Sequence, residues 1–171
     1  MTLAWVLFAL FSKSQGQADD LALYKAAYTW IASSESARYY MRTCDSTMSI
    51  VVSDSMVPLE LTSFFDQLAI GIRVEGKKAL LDSLQLLDKT SWFDVTWMPA
   101  LRSITNGKDG PFTLFFSRLR GNILLAELFH DPSRRGSYRE LARLSRSILF
   151  LLEFDELKRI NKTLTTSPQY E

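Results

Sequence analysis

The stretch "FTLFFSRLRGNILLAELFH", residues 112–130, decides what kind of protein this chain of 171 residues makes. Phe112, Phe115, Phe116, Leu119, Ile123 and Ala126 follow one another at steps of three and four, the spacing that lines one face of an α-helix. Pro132 disfavours helical geometry in Asp131, so the spacing predicts a helix that stops near His130. After the turn "DPSRRG", Ser137 with Glu140 three residues on forms a capping box and starts the next predicted helix. That helix turns Leu141, Leu144, Ile148, Leu151 and Leu152 inward and is apolar on every side from Ile148 to Leu152. Such a segment has to be covered all round, by this domain or by another chain.

Outward from there, Asp19 to Thr43 reads as a helix, capped by Asp19 or Asp20, with Leu21, Tyr24, Tyr28 and Ile31 on one side. The β-branched, serine-rich "STMSIVVSDSM" (46–56) reads as a short strand or an ordered crossover loop. Pro58 suits a first helical turn, and Leu61, Phe64, Phe65, Leu68 and Ile72 carry the helical spacing to a stop at Gly76. A further helix runs from Lys77 to about Leu87 on Leu80, Leu84 and Leu87. "SWFDVTWM" (91–98) carries both a helix-start signal and a strand-like alternation, and "NGKDGP" (106–111) is a turn cluster. The expected fold is therefore mainly α: a single-domain bundle of five or six helices, with short strands admitted only near 48–52 and 93–97. Its organisation reads as an apolar segment over 1–18, a helical domain over 19–164 and a polar tail over 165–171.

The opening run "LAWVLFALF" (3–11) has nine apolar residues, well short of the roughly 20 that span a bilayer. Small residues follow it at plausible cleavage points, as after an export signal, but no basic residue precedes it. A short packed helix is the alternative reading, so residues 1–18 are either a signal peptide or part of the working structure.

Composition excludes more chemistry than it suggests. One histidine, His130, denies the chain any multi-histidine metal site, and His130 with Cys44 falls short of the four ligands of structural zinc. A single cysteine allows no internal disulfide. There is no nucleophile elbow and no glycine-rich phosphate loop, and the acids Glu153, Asp155 and Glu156 read as an ion-pair face shared with Lys158 and Arg159 on one helix. No enzyme activity and no cofactor is expected. Asn161-Lys162-Thr163 is a glycosylation sequon, meaningful in a eukaryotic secretory setting.

The formal net charge is +1, but seven arginines and no lysine lie between Arg118 and Arg146. Together with four tryptophans and six tyrosines, these are residue types that anchor interfaces. The expected function is a non-enzymatic helical interaction protein, a small accessory subunit or adaptor within a larger, hetero-oligomeric assembly. Its predicted contact residues are Trp30, Arg134, Arg135, Arg139, Arg143, Arg146 and Phe150, with the arginines meeting acidic side chains or phospholipid heads at a membrane surface. Nucleic acid is not an expected partner, because neither a strongly basic domain nor a recognisable module is present. The alternative is an exported helical binding or inhibitory protein whose signal occupies about residues 1–18. The first reading places the chain inside a cell or organelle, the second outside.

Overall fold

Five strands lie side by side in chain order in one mixed sheet: β1 (Ile50–Val57), β2 (Phe112–Ser117), β3 (Ile123–His130), β4 (Ser147–Phe154) and β5 (Ile160–Thr166). β1 runs parallel to β2, and β2 to β5 form an antiparallel meander. Helices α1 (Gln17–Ser33) and α2 (Glu35–Thr43) precede the sheet, and a 3-10 turn (Thr62–Phe64), the short α3 (Phe65–Leu68) and α4 (Val74–Ser91) follow β1. A second 3-10 segment (Pro99–Thr105) precedes β2, and α5 (Tyr138–Leu144) stands between β3 and β4. The computed structural model describes residues 17–44, 47–91, 97–106, 109–132, 137–144 and 146–167. Most of the opening apolar segment and the part of the second admitted strand before Trp97 lie outside them.

The helical bundle is thus overturned: the protein is mixed α/β. The amphipathic helix read over 112–130 is a pair of strands, and the last predicted helix keeps only its first turns as α5 before becoming β4. The physical cause is two-sided burial. Every residue of β3 except His130 is buried, and so is every residue of β4 except Glu153. A strand covered on both faces reads as a continuous apolar run without alternation, and such a run contains helical steps by arithmetic alone. The all-round apolarity of Ile148–Leu152 belongs to a central strand, flanked by β3 and β5 and packed on both faces.

Gly121 and Asn122 make the turn that separates β2 from β3. Arg120 and Ile123 exchange both backbone hydrogen bonds across it, at 2.9 and 3.0 Å, and Gly121 sits at φ +60° in the first central position, as Gly-X hairpin turns require. Where the ladder breaks at Ser117, its hydroxyl accepts from Leu125 N–H (3.0 Å) and fills the gap.

Alternation divides the sheet between two cores. On one face Val52, Leu114, Phe116, Leu124, Ala126, Leu128, Ile148, Phe150 and Leu152 meet Leu23, Tyr24, Ala27 and Ile31 of α1, Met41 of α2, and Met98 and Leu101. On the other, Phe115, Leu125, Phe129, Leu149 and Leu151 meet Leu61, Phe64, Leu80 and Leu84 from the β1–α4 region and Leu141 of α5. The layers are helix, sheet, helix. Burying large side chains such as Phe116 and Phe150 completely contributes about 1.5–3 kcal/mol each.

Several local readings are corrected within this frame. The first long helix breaks at Ser34, whose hydroxyl caps α2 by accepting from Ala37 N–H (3.2 Å). Gly76 lies inside α4 rather than ending a helix, and the turn falls at 69–71 instead. Asp155 and Arg159 do pair, at 2.9 Å, but across the β4–β5 turn and not along a helix. β5 takes in Thr165 and Thr166, so the polar tail begins later than the expected 165. The capping box appears as expected: Glu140 accepts from Ser137 N–H at 3.0 Å, and Ser137 Oγ accepts from Glu140 N–H at 3.4 Å.

β1 and β2 begin together because Gly110 is a glycine. A Cβ there would run into the Ser49 carbonyl oxygen, which also accepts from Phe112 N–H (3.3 Å), while Ser49 Oγ donates to the Asp109 carbonyl (3.0 Å). Gly110→Ala is expected to lower stability by about 1–3 kcal/mol through this overpacking, measured as a reduced midpoint in urea unfolding.

Candidate functional site

The α4/α5 face of the sheet holds a buried polar cluster that no periodicity announces. Glu127, in the middle of β3, is fully enclosed. Its Oε1 accepts from Ser147 Oγ at 2.6 Å and its Oε2 from the Tyr138 hydroxyl at 3.0 Å. β-pairing sets Glu127 opposite Phe115 on β2 and Leu149 on β4. Tyr138, at the start of α5, is gripped by aromatic edges: its ring centroid lies 5.5 Å from Phe115 and 5.8 Å from Phe129, and those two rings are 5.9 Å apart. Its hydroxyl is thereby pinned onto the carboxylate.

Two more acids border this cluster. Asp88 of α4 accepts from Leu61 N–H (2.7 Å), Thr62 N–H (3.0 Å) and Thr62 Oγ1 (2.7 Å), so it caps the 3-10 turn that follows β1. Glu60 is half-buried just before that turn, and its pKa is pushed up from 4.5 to about 7, first by burial and then by the charges of Glu127 and Asp88. A carboxyl that still holds its proton near neutrality beside other carboxylates is the kind of group that donates or shuttles protons. Among the described residues, no three of His, Cys, Asp and Glu are placed to hold a metal ion.

On the other face, hydroxyls tie helices to strand ends. Tyr24 OH donates to the Ser117 carbonyl and accepts from Leu119 N–H, both at 3.2 Å, and burial pushes its pKa up to about 12. Tyr40 OH donates to the Arg146 carbonyl and accepts from His130 N–H (3.1 Å), and burial, then the neighbouring Cys44, pushes its pKa up. The His130 ring lies against Phe112 with centroids 5.1 Å apart.

At the sheet's first edge the chain doubles back along β1. Trp97 pairs with Ser55, Met98 N–H donates to the Asp54 carbonyl (2.8 Å), and Arg102 Nε meets the buried Asp54 carboxylate at 2.5 Å. Trp97 is nevertheless 66% exposed, an indole held in place by its backbone and left facing solvent.

The contact residues read from the sequence do not gather on one surface. Trp30 and Phe150 are together, edge to face at 6.3 Å, but Phe150 is fully buried and Trp30 half-buried on the α1 face. Arg139 is exposed on α5, across the sheet from them, and Arg146 is exposed just before β4. Arg134 and Arg135 lie outside the described residues, as does the side chain of Arg143.

Sequence reasoning missed Glu60, Glu127, Tyr138, Ser147 and Trp97. A signal existed for Glu127: it is the one charge within the apolar run Ile123–Phe129, and a buried charge demands partners. Comparison of the chain with protein-family models, with curated proteins and with solved structures finds no match.

Proposed function

We propose that the protein is a non-enzymatic interaction protein, a small accessory subunit or adaptor that recognises another protein through the β1 edge. Trp97 carries this reading. An indole exposed to 66% while its backbone is paired to a strand is a preorganised anchor, since little freedom is lost when a partner covers it. Arg102, exposed along most of its length and braced by Asp54, adds hydrogen-bond donors beside it. The internal acids have structural employment instead: Glu127 accepts from two hydroxyls and Asp88 caps a turn. Arg139 and Arg146 remain exposed for acidic groups elsewhere on the assembly.

The test is affinity for whatever protein co-purifies with the full chain from its native source. Trp97→Ala is expected to weaken that binding more than tenfold with an unchanged melting temperature, while Leu157→Ala, at another exposed apolar side chain, leaves it intact. Unchanged binding by the Trp97 variant, or a native protein that purifies alone, overturns the reading. A second reading, an exported binding or inhibitory protein, is favoured by the exposure of the sequon asparagine, Asn161.

A further inference from the structure

We infer that Asn161 is an N-glycosylation site and that its glycan shields the β5 edge of the sheet. Asn161-Lys162-Thr163 is the one Asn-X-Ser/Thr sequence in the chain, and the fold presents it in a particular way. Lys162 pairs with Glu153 and Ile160 with Phe154, so Asn161 falls between two pairs with no residue opposite it. It is the extra residue of a β-bulge. A bulge locally disrupts pairing and re-aims the side chain, and Asn161 is exposed here, immediately after the β4–β5 turn.

Position on the sheet gives the modification a purpose. β5 is the last strand, and an edge strand offers backbone groups to any other extended chain. At its far end Gln67 Nε2 donates to the Thr165 carbonyl at 2.8 Å, which occupies that part of the rim. Asn161 stands at the opposite end of the strand, where a bulky, hydrated glycan would keep another strand from docking. At the β1 edge, among the described residues, the chain's own residues 97–98 pair with Asp54 and Ser55 alone, so that rim is occupied only in part.

The step is a glycosyl transfer from a lipid diphosphate-linked oligosaccharide. The bond between sugar C1 and the diphosphate oxygen breaks, a bond from C1 to Asn161 Nδ2 forms, the amide gives up one proton, and the lipid diphosphate departs. No oxidant or reductant is needed. The apolar run Leu3–Phe11 has the composition of a segment that delivers a chain to the compartment where such donors are used. This inference rests on the second reading, an exported protein, and does not depend on the role of Trp97.

The experiment is mass spectrometry of the full-length protein from its native source, before and after peptide-N-glycosidase F. The expected result is a glycan-sized mass loss and conversion of Asn161 to Asp, seen in the peptide covering residues 160–166. Produced in a eukaryotic secretory host, Thr163→Ser is expected to keep the modification, and Thr163→Ala and Asn161→Gln to abolish it. The serine variant separates recognition of the hydroxyl from any effect on folding. A native peptide carrying unmodified Asn161, or a glycan that survives in Asn161→Gln, overturns the inference.

Discussion

Glu127→Ala is expected to cost about 3–5 kcal/mol of stability, enough to lower the melting temperature by roughly 6–20 °C in a chain of this size. The reason lies in what the carboxylate leaves behind. Ser147 Oγ is buried and cannot turn to water when its acceptor goes, while the half-buried Tyr138 is packed against two phenylalanine rings and loses the acceptor its hydroxyl is aimed at. The stranded Ser147 hydroxyl costs about 1–3 kcal/mol, the part-buried Tyr138 hydroxyl less, and the space vacated between Phe115 and Leu149 adds a cavity cost. Glu127→Gln keeps a polar group of the same shape, and a hydroxyl can donate or accept, so its loss is expected to be smaller, about 1–2 kcal/mol. The measurement is urea unfolding of the two variants, alone and combined with Ser147→Ala or Tyr138→Phe. Deleting a hydroxyl in the Glu127→Ala background is expected to cost less than deleting it from the native protein. Simple additivity would mean that the three groups do not act as a network.

That network also marks where the sequence stops being legible. Local signals survive in the structure wherever an element has one wet face. α1 shows its buried side at Tyr24 and Ile31, α4 shows Leu80 and Leu84, and the Ser137–Glu140 box starts α5. The sheet is concealed for the opposite reason, because β3 and β4 have no wet face and hence no alternation to read. Two residues could have broken the tie in 112–130. Gly121-Asn122 is a hairpin turn signal in the middle of the supposed helix, and Glu127 is a charge among side chains that helical spacing alone would bury. The remainder is tertiary. Nothing local to Glu60 reports that Glu127 and Asp88 lie close enough to shift it, and nothing local to Trp97 reports that its backbone pairs with a strand while its ring is exposed.

The protein is expected to lose stability as the pH rises from about 5 to 8, and Glu60→Gln is expected to remove most of that loss. In the folded chain the Glu60 carboxyl keeps its proton up to about pH 7, whereas its ordinary value is 4.5. Between those values folding takes up a proton. The stabilising contribution of neutral Glu60 is therefore complete below pH 4.5 and disappears as the pH climbs through 7. The gap is worth about 3 kcal/mol at pH 8, which corresponds to roughly 6–12 °C in melting temperature. Glutamine cannot ionise, so the variant should melt with the native protein at pH 5 and well above it at pH 8. Glu140 and Asp155 act in the other direction and in another range: hydrogen bonds from Ser137 and Arg159 hold them below their ordinary values, so their contribution is lost only as the pH falls into the acid region. Melting curves of the native protein and the Glu60 variant at pH 5, 6, 7 and 8 separate the two effects. Parallel curves across that range would show that Glu60 ionises in the folded protein as it does in the unfolded chain, and that burial beside Glu127 and Asp88 does not hold its proton.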